Sequence, residues 1–335
     1  MRNIKIKIIS LMLIVIMMFT GCLKEEYSFK INSDGSSETY ICRSIDLEEI
    51  VSARIKVCKV LGLSDQEIGT KEKLQETYSE SYRQQGYKET TIDGKTYYQK
   101  TAQYSNDKKN LTRDITGNDG YVTTDTFYYI VNWKDSVVNS IESQAETIAK
   151  QNGVKEVPDA MQLLKQAGVD LDTLDTCVAT VEFPKPIVST NGIIDSKNKN
   201  KVTFTIKATE NKTLFATTDS KVTFASAQAK YKADNTIKKP KIKQLKANKV
   251  KRKAKKATIT LKFGKVAGAK MYQVQYATKS SFKSAKTKNI KKTTYKISNL
   301  KKNKKYYVRV RAWKSNMARG YVFSGWVKKS VKTKK

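Results

Sequence analysis

The 335-residue chain carries 65 lysines and arginines against 31 aspartates and glutamates, a formal net charge of +34, and it has no histidine. Without histidine the commonest general base and the commonest metal ligand are gone, which excludes Ser–His and Cys–His nucleophiles and histidine-ligated metal centres. The charge sits at one end: residues 237–335 hold 34 basic side chains and no acidic one, leaving residues 1–236 balanced at 31 of each sign. So complete an asymmetry predicts two domains with different tasks.

The chain opens MRNIKIKIISLMLIVIMMFTGC, with Arg2, Lys5 and Lys7 ahead of a largely apolar run from Ile8 to Phe19. That run is shorter than the roughly 20 residues a helix needs to cross a bilayer, and small residues follow it. The pattern predicts a signal peptide over residues 1–21. Thr20-Gly21-Cys22 resembles the lipobox of bacterial lipoproteins, with Phe19 where leucine is more usual. The resemblance implies that the Cys22 thiol takes a diacylglyceryl group, anchoring the mature protein on the extracellular face of the cell membrane. No later segment is long or apolar enough to span a membrane.

Residues 22–225 read as one α+β domain, an antiparallel sheet with helices, large enough to bury a core. EYSFKI and SETYIC flank Asn32-Ser33-Asp34-Gly35 and predict a hairpin. Leu47, Ile50, Val51, Ile55, Cys58 and Leu61 recur at helical spacing behind an Asp46 N-cap. Ser64 and Glu67 form a capping box for a second helix reaching about Gln85. A hairpin turns at Asp93-Gly94, and residues 121–133 read as one long strand. Asp135 is expected to cap a helix carrying Val138, Ile141, Ala145 and Ile148 and ending at Gly153. Pro158 is expected to start a shorter helix to Gly168. CVATVEF, KVTFTIKA, TLFATT and KVTFAS then read as strands.

An acylated cysteine followed by a short strand and INSDGSSE resembles the start of LppM-type bacterial lipoproteins. So do GYKETTIDGKTYY, and VEFPKPIVSTNG leading into KVTFTI. The resemblance implies an envelope-associated domain, with lipid or glycolipid handling as one expectation, and it brings no catalytic residues. Backbone needs account for the same motifs: Gly35, Gly94 and Gly192 as positive-φ positions, Pro184 and Pro186 as a strand edge.

Residues 226–239, SAQAKYKADNTIKK, read as a linker ending at Pro240. Beyond it, period-two runs predict an antiparallel sandwich of about seven strands. Ile259, Leu261 and Phe263 form one inward set, and Tyr272, Val274 and Tyr276 a second. Tyr295, Ile297 and Leu300 follow, then Tyr306, Val308, Val310 and Ala312. Leu300 followed by Tyr306, Phe263 at the place of a strand-B tryptophan, and SGWVKKSV as a last strand resemble a fibronectin type III domain of low-GC Gram-positive surface proteins. The resemblance covers residues 240–335 and implies an immunoglobulin-like all-β sandwich with a tyrosine corner at Tyr306.

The run KANKVKRKAKK, residues 246–256, places Lys249, Lys251, Arg252, Lys253, Lys255 and Lys256 together. Arg309 and Arg311 share the outward face of their strand and are expected beside Gln273 and Gln275. On an exported protein such a surface fits teichoic phosphates and anionic lipid headgroups, bound through counterion release. A solubilising coat without a ligand is the bland alternative. Nucleic acid is a minor one, since the aromatics that would stack on bases are sparse.

The chemistry of catalysis is thin. There is no phosphate-binding glycine loop and no CxxC pair. DLDTLD, residues 170–175, fits a calcium loop poorly, with Leu171 and Leu174 where oxygens are needed. Cys42, Cys58 and Cys177 read as buried small hydrophobes, Cys42–Cys58 being the nearest pair should a disulfide form. The expectation is a non-enzymatic surface lipoprotein needing no cofactor or metal. Its partners would be the membrane, anionic wall polymers or lipids, and surface proteins. A lipid carrier with a deep apolar cavity, or a hydrolase with converging carboxylates, are the rivals.

Overall fold

The computed structural model describes residues 24–108, 110–151, 159–249 and 256–334. Cys22, Pro158 and four of the basic-run residues (Lys251, Arg252, Lys253 and Lys255) lie outside them. The chain divides into two compact units, Met1–Phe224 and Ala225–Lys335.

In the first unit, β1 (Lys24–Ile31) and β2 (Ser37–Asp46) form the expected hairpin, with Gly35 in the left-handed region its turn requires. Helix α1 (Leu47–Val60) starts where Asp46 accepts the N–H groups of Glu48 and Glu49, both at 3.1 Å. The Ser64–Glu67 capping box is present, but the helix it opens is only α2 (Asp65–Ile68). Gly69, at φ 86°, cannot continue a helix, and the Thr70 hydroxyl caps a new one, α3 (Lys71–Gln84). β3 (Lys88–Ile92) and β4 (Lys95–Asn106) turn through Asp93 and Gly94, both at positive φ as a two-residue hairpin requires.

The expected long strand is instead a hairpin of β5 (Gly120–Val122) and β6 (Thr126–Val131). Thr123 bends the chain, its hydroxyl accepting the N–H groups of Asp125 and Thr126. Helix α4 (Trp133–Gln151) begins two residues before Asp135, because Asn132 already accepts the Ser136 N–H. Helix α5 (Ala160–Gln166) is capped by Asp159, and α6 (Leu171–Leu174) by Asp170. The strands β7 (Thr176–Glu182), β8 (Ser189–Thr190), β9 (Ile193–Ile194), β10 (Lys201–Lys207) and β11 (Lys212–Thr217) follow. KVTFAS is not a strand; Phe224 starts helix α7 (Phe224–Asn235).

These strands form a seven-stranded sheet, β3-β4-β2-β1-β7-β10-β9, and a four-stranded sheet, β5-β6-β11-β8. The large sheet is not wholly antiparallel: β7 returns beside β1 in parallel after the long helical excursion, as a crossover of that length permits. Tyr27, Phe29 and Ile31 share its inner face with Ala179, Val181, Val202, Phe204 and Ile206. The small sheet covers one end of this face with Phe127, Leu214 and Ala216. Helices α1, α3, α4 and α5 cover the other end around Ile45 and Tyr98. Gly192 does not need a positive φ; a Cβ there would stand 2.6 Å from the Phe204 ring, so close approach is what requires glycine.

In the second unit, the segment read as a linker is helical through Asn235 and held in place: Asp234 accepts the Met317 N–H and Lys314 donates to the Ala233 carbonyl, both at 2.6 Å. Strands β12 (Ile242–Ala247), β13 (Ala257–Phe263) and β16 (Thr294–Leu300) form one sheet. The other joins β14 (Met271–Ala277), β15 (Lys286–Ile290), β17 (Lys305–Ser315), β18 (Tyr321–Phe323) and β19 (Val327–Lys332). Both are antiparallel and enclose one core containing Ile259, Leu261, Phe263, Val274, Ile297, Leu300, Val308 and Val310. No described helix is long and apolar enough to cross a membrane.

Candidate functional site

Two places carry chemistry, one in each unit. In the first unit a cleft of about 570 Å³ opens between the inner face of the large sheet and the segment from the π-helical turn Thr112–Thr116 to the start of α4. One wall comes from Tyr27, Phe29, Thr39, Ile41, Cys177 and Ala179 on neighbouring strands. The other carries Asp114, Ile115, Asp119, Tyr129, Val131 and Trp133. The Thr39 hydroxyl is buried and has no hydrogen-bond partner, and the same holds for the Trp133 indole N–H.

Beside this cleft lies a buried polar cluster. The Glu25 carboxylate is 7% exposed; it accepts Arg43 Nε at 2.7 Å and the Tyr27 hydroxyl on its other oxygen. That leaves it fully engaged and poorly placed to act as a nucleophile. Asp175, 6% exposed, has one oxygen without a partner. Burial, followed by the Glu25 charge, pushes its carboxyl up to about 7, while Trp133 lowers it in part without reaching hydrogen-bond geometry. Burial and the two neighbouring carboxyls push the Cys177 thiol up to about 12, so it is no thiolate nucleophile.

The carboxylates of DLDTLD are taken by the protein: Asp170 caps α6, and Asp172 accepts the Thr209 N–H and hydroxyl at 3.0 Å. No group of three or more Cys, Asp and Glu among the described residues is placed to hold a metal ion. Cys42, Cys58 and Cys177 are free and buried. The pair nearest in sequence is not bridged, because Cys42 lies on the outer face of β2 and Cys58 in the helix packed on the inner one.

In the second unit Arg309 and Arg311 do stand beside Gln275 and Gln273 across the β14–β17 pair. Each guanidinium donates through Nε and Nη2 to one glutamine oxygen, at 2.6–2.8 Å for Arg309 and 2.8–3.0 Å for Arg311. Each also stacks on rings. Arg309 lies 4.2 Å from the Phe282 centroid and 4.4 Å from that of Trp326; Arg311 lies 3.8 Å from Phe323 and 4.5 Å from Trp326. Burial and the Arg309 charge lower Arg311 from its ordinary value. The pair therefore forms a half-buried ladder of alternating rings and cations, which the alternation of β14 and β17 did not reveal because its rings come from other segments of the chain. Around it Lys328, opposite Arg309 in the register, is exposed. So are Lys249 and Lys256, the described members of the basic run. Phe263, Leu300 and Tyr306 are buried together in the sandwich core.

No family model and no curated relative matches the chain. Part of it is distantly similar to solved fibronectin-type sandwiches. The crystal structure of FN3tt is 22% identical over 30% of this chain and 97% of its own, with a TM-score of 0.23. An Fn3-like protein from Clostridium thermocellum is 24% identical over 28% of this chain and 90% of its own, at 0.21. The fn3 domain of human collagen alpha-1(XX) is 18% identical over 30% and 89%, at 0.22.

Proposed function

We propose that this protein is a non-enzymatic cell-surface lipoprotein, anchored through Cys22, whose basic C-terminal sandwich grips anionic envelope polymers and lipid headgroups. One observation carries the reading. Beyond Asp234 the sequence has no carboxylate side chain, and lysines including Lys249, Lys256, Lys291, Lys296, Lys328 and Lys329 are exposed on the second unit. Such a surface repels itself until external anions bind or screen it. Phosphate polymers do so through counterion release, without a shaped pocket.

A fibronectin type III identity for residues 240–335 is supported by the sheets β12-β13-β16 and β15-β14-β17, the buried Phe263 and the backbone tie of Tyr306. The LppM-like reading of residues 22–225 rests on the sequence motifs. The direct test is co-sedimentation of the mature protein with cell walls before and after removal of their teichoic phosphates. Pelleting only with the intact walls is expected; equal pelleting with both contradicts the reading.

A second activity, carriage of an amphiphilic ligand by the first unit, is favoured by the cleft of about 570 Å³. That size is in the range of small-molecule sites. The hydrolase alternative gains nothing from Glu25, whose oxygens are both engaged.

A further inference from the structure

We infer that the cleft of the first unit selects a cationic amphiphile, an apolar chain bearing one ammonium group. This rests on the cleft being a ligand site and adds the chemistry of its ligand. The charged side chains of the cleft wall are all of one sign: Asp114 and Asp119 line it, and no lysine or arginine does, in a chain whose net charge is +34. Both carboxylates are exposed at the rim, and among the described residues neither takes part in an ion pair. A site for a phosphate or carboxylate head would place basic groups here.

The same wall is rich in aromatic faces. Tyr27, Tyr104, Tyr129 and Trp133 line it, and ring faces attract an ammonium group that has shed its water. Ile41, Ile115, Ile130 and Val131 supply the apolar stretch for a chain. Thr39 adds an unpaired polar group to the same wall. It is 7% exposed, it lies in the cleft wall, and its hydroxyl has no partner in the protein. A buried hydroxyl left unpaired is costly unless a ligand or water completes it.

The test uses the whole mature chain after Cys22, purified free of detergent, titrated calorimetrically with three probes of equal chain length: octylammonium, whose N–H groups can donate to the Thr39 hydroxyl, octanol and octanoate. The cation is expected to bind about tenfold tighter than octanol, the order of a desolvated cation–aromatic contact assisted by charge. The double variant Asp114→Asn, Asp119→Asn should lower the cation to the octanol level and leave octanol unchanged, which also shows that it is folded. Thr39→Val should weaken the cation further. Equal binding of octanol and the cation, insensitive to the double variant, would overturn the cationic assignment while leaving an amphiphile site in place. Octanoate binding tighter than the cation in a Thr39-dependent manner would overturn it as well. Failure of all three probes would overturn both the assignment and the carrier reading beneath it.

Discussion

The Tyr306 hydroxyl accepts the backbone N–H of Lys301 at 3.1 Å, tying the β16–β17 turn to a ring in the core. Tyr272 makes a second tie of the same kind, its hydroxyl accepting the Val266 N–H at 2.8 Å. Each spares a turn N–H that no sheet partner reaches. Tyr306→Phe and Tyr272→Phe should each cost about 1 kcal/mol, and more where the N–H is left buried. Urea unfolding of the two variants measures this; midpoints equal to wild type would show that neither tie matters.

The ring–cation ladder separates stability from binding. Lysine at 309 and 311 keeps both charges but loses the planar fork that holds Gln275 and Gln273 and stacks on Trp326. Arg309→Lys with Arg311→Lys should destabilise the sandwich by about 1–2 kcal/mol. Polyanion affinity should stay within about threefold, because counterion release depends on charge. Paired melts and titrations of the variant check both halves.

How far the sequence reached can be traced through these residues. Alternation placed Tyr306, Val308, Val310 and Ala312 inward correctly, because a one-residue slip would reverse every side chain of β17. The Asp46 cap and the Asp93-Gly94 turn were legible because each is local chemistry. The break at Gly69 was not: a capping box announces a helix but not its length. The parallel pairing of β1 with β7 and the cleft wall were also hidden, since both join residues more than a hundred positions apart. In the sequence Asp175 was only the last carboxylate of DLDTLD, and only the fold buries it beside Glu25.

That burial has a pH signature. The Asp175 carboxyl is raised from 3.8 to about 7, so between those values the folded state holds a proton that the unfolded chain releases. Its stabilising contribution is complete below pH 3.8 and is lost as pH rises through 7. Asp175→Asn should remove this loss and be more stable than wild type at about pH 8, on the order of 2–4 kcal/mol. Melting temperatures of both proteins from about pH 5 to 8 test it; parallel curves would mean that Asp175 is not held protonated.

Gly192 approaches the first unit's core closely. Gly192→Ala would place a methyl 2.6 Å from the Phe204 ring and 2.7 Å from Val202. The overpacking should cost about 1–3 kcal/mol. Thermal unfolding reads the change, and a neutral result would show that the Ser189–Ile194 segment shifts freely.

Anchoring is a separate expectation, since Cys22 lies outside the described residues. Cys22→Ala should leave the precursor unprocessed or release the protein from the membrane. Fractionation showing the variant processed and membrane-bound like wild type would contradict the lipobox assignment.

The most direct test of the polyanion reading is the salt dependence of binding by the whole mature chain to polyphosphate and to anionic vesicles. Each neutralised phosphate releases counterions, so affinity should fall about a hundredfold or more between about 50 and 200 mM salt, equally for both probes. Added salt should also raise the melting temperature of the second unit by relieving its self-repulsion. Affinity independent of salt, or confined to one of the two probes, would contradict an electrostatic grip on envelope anions.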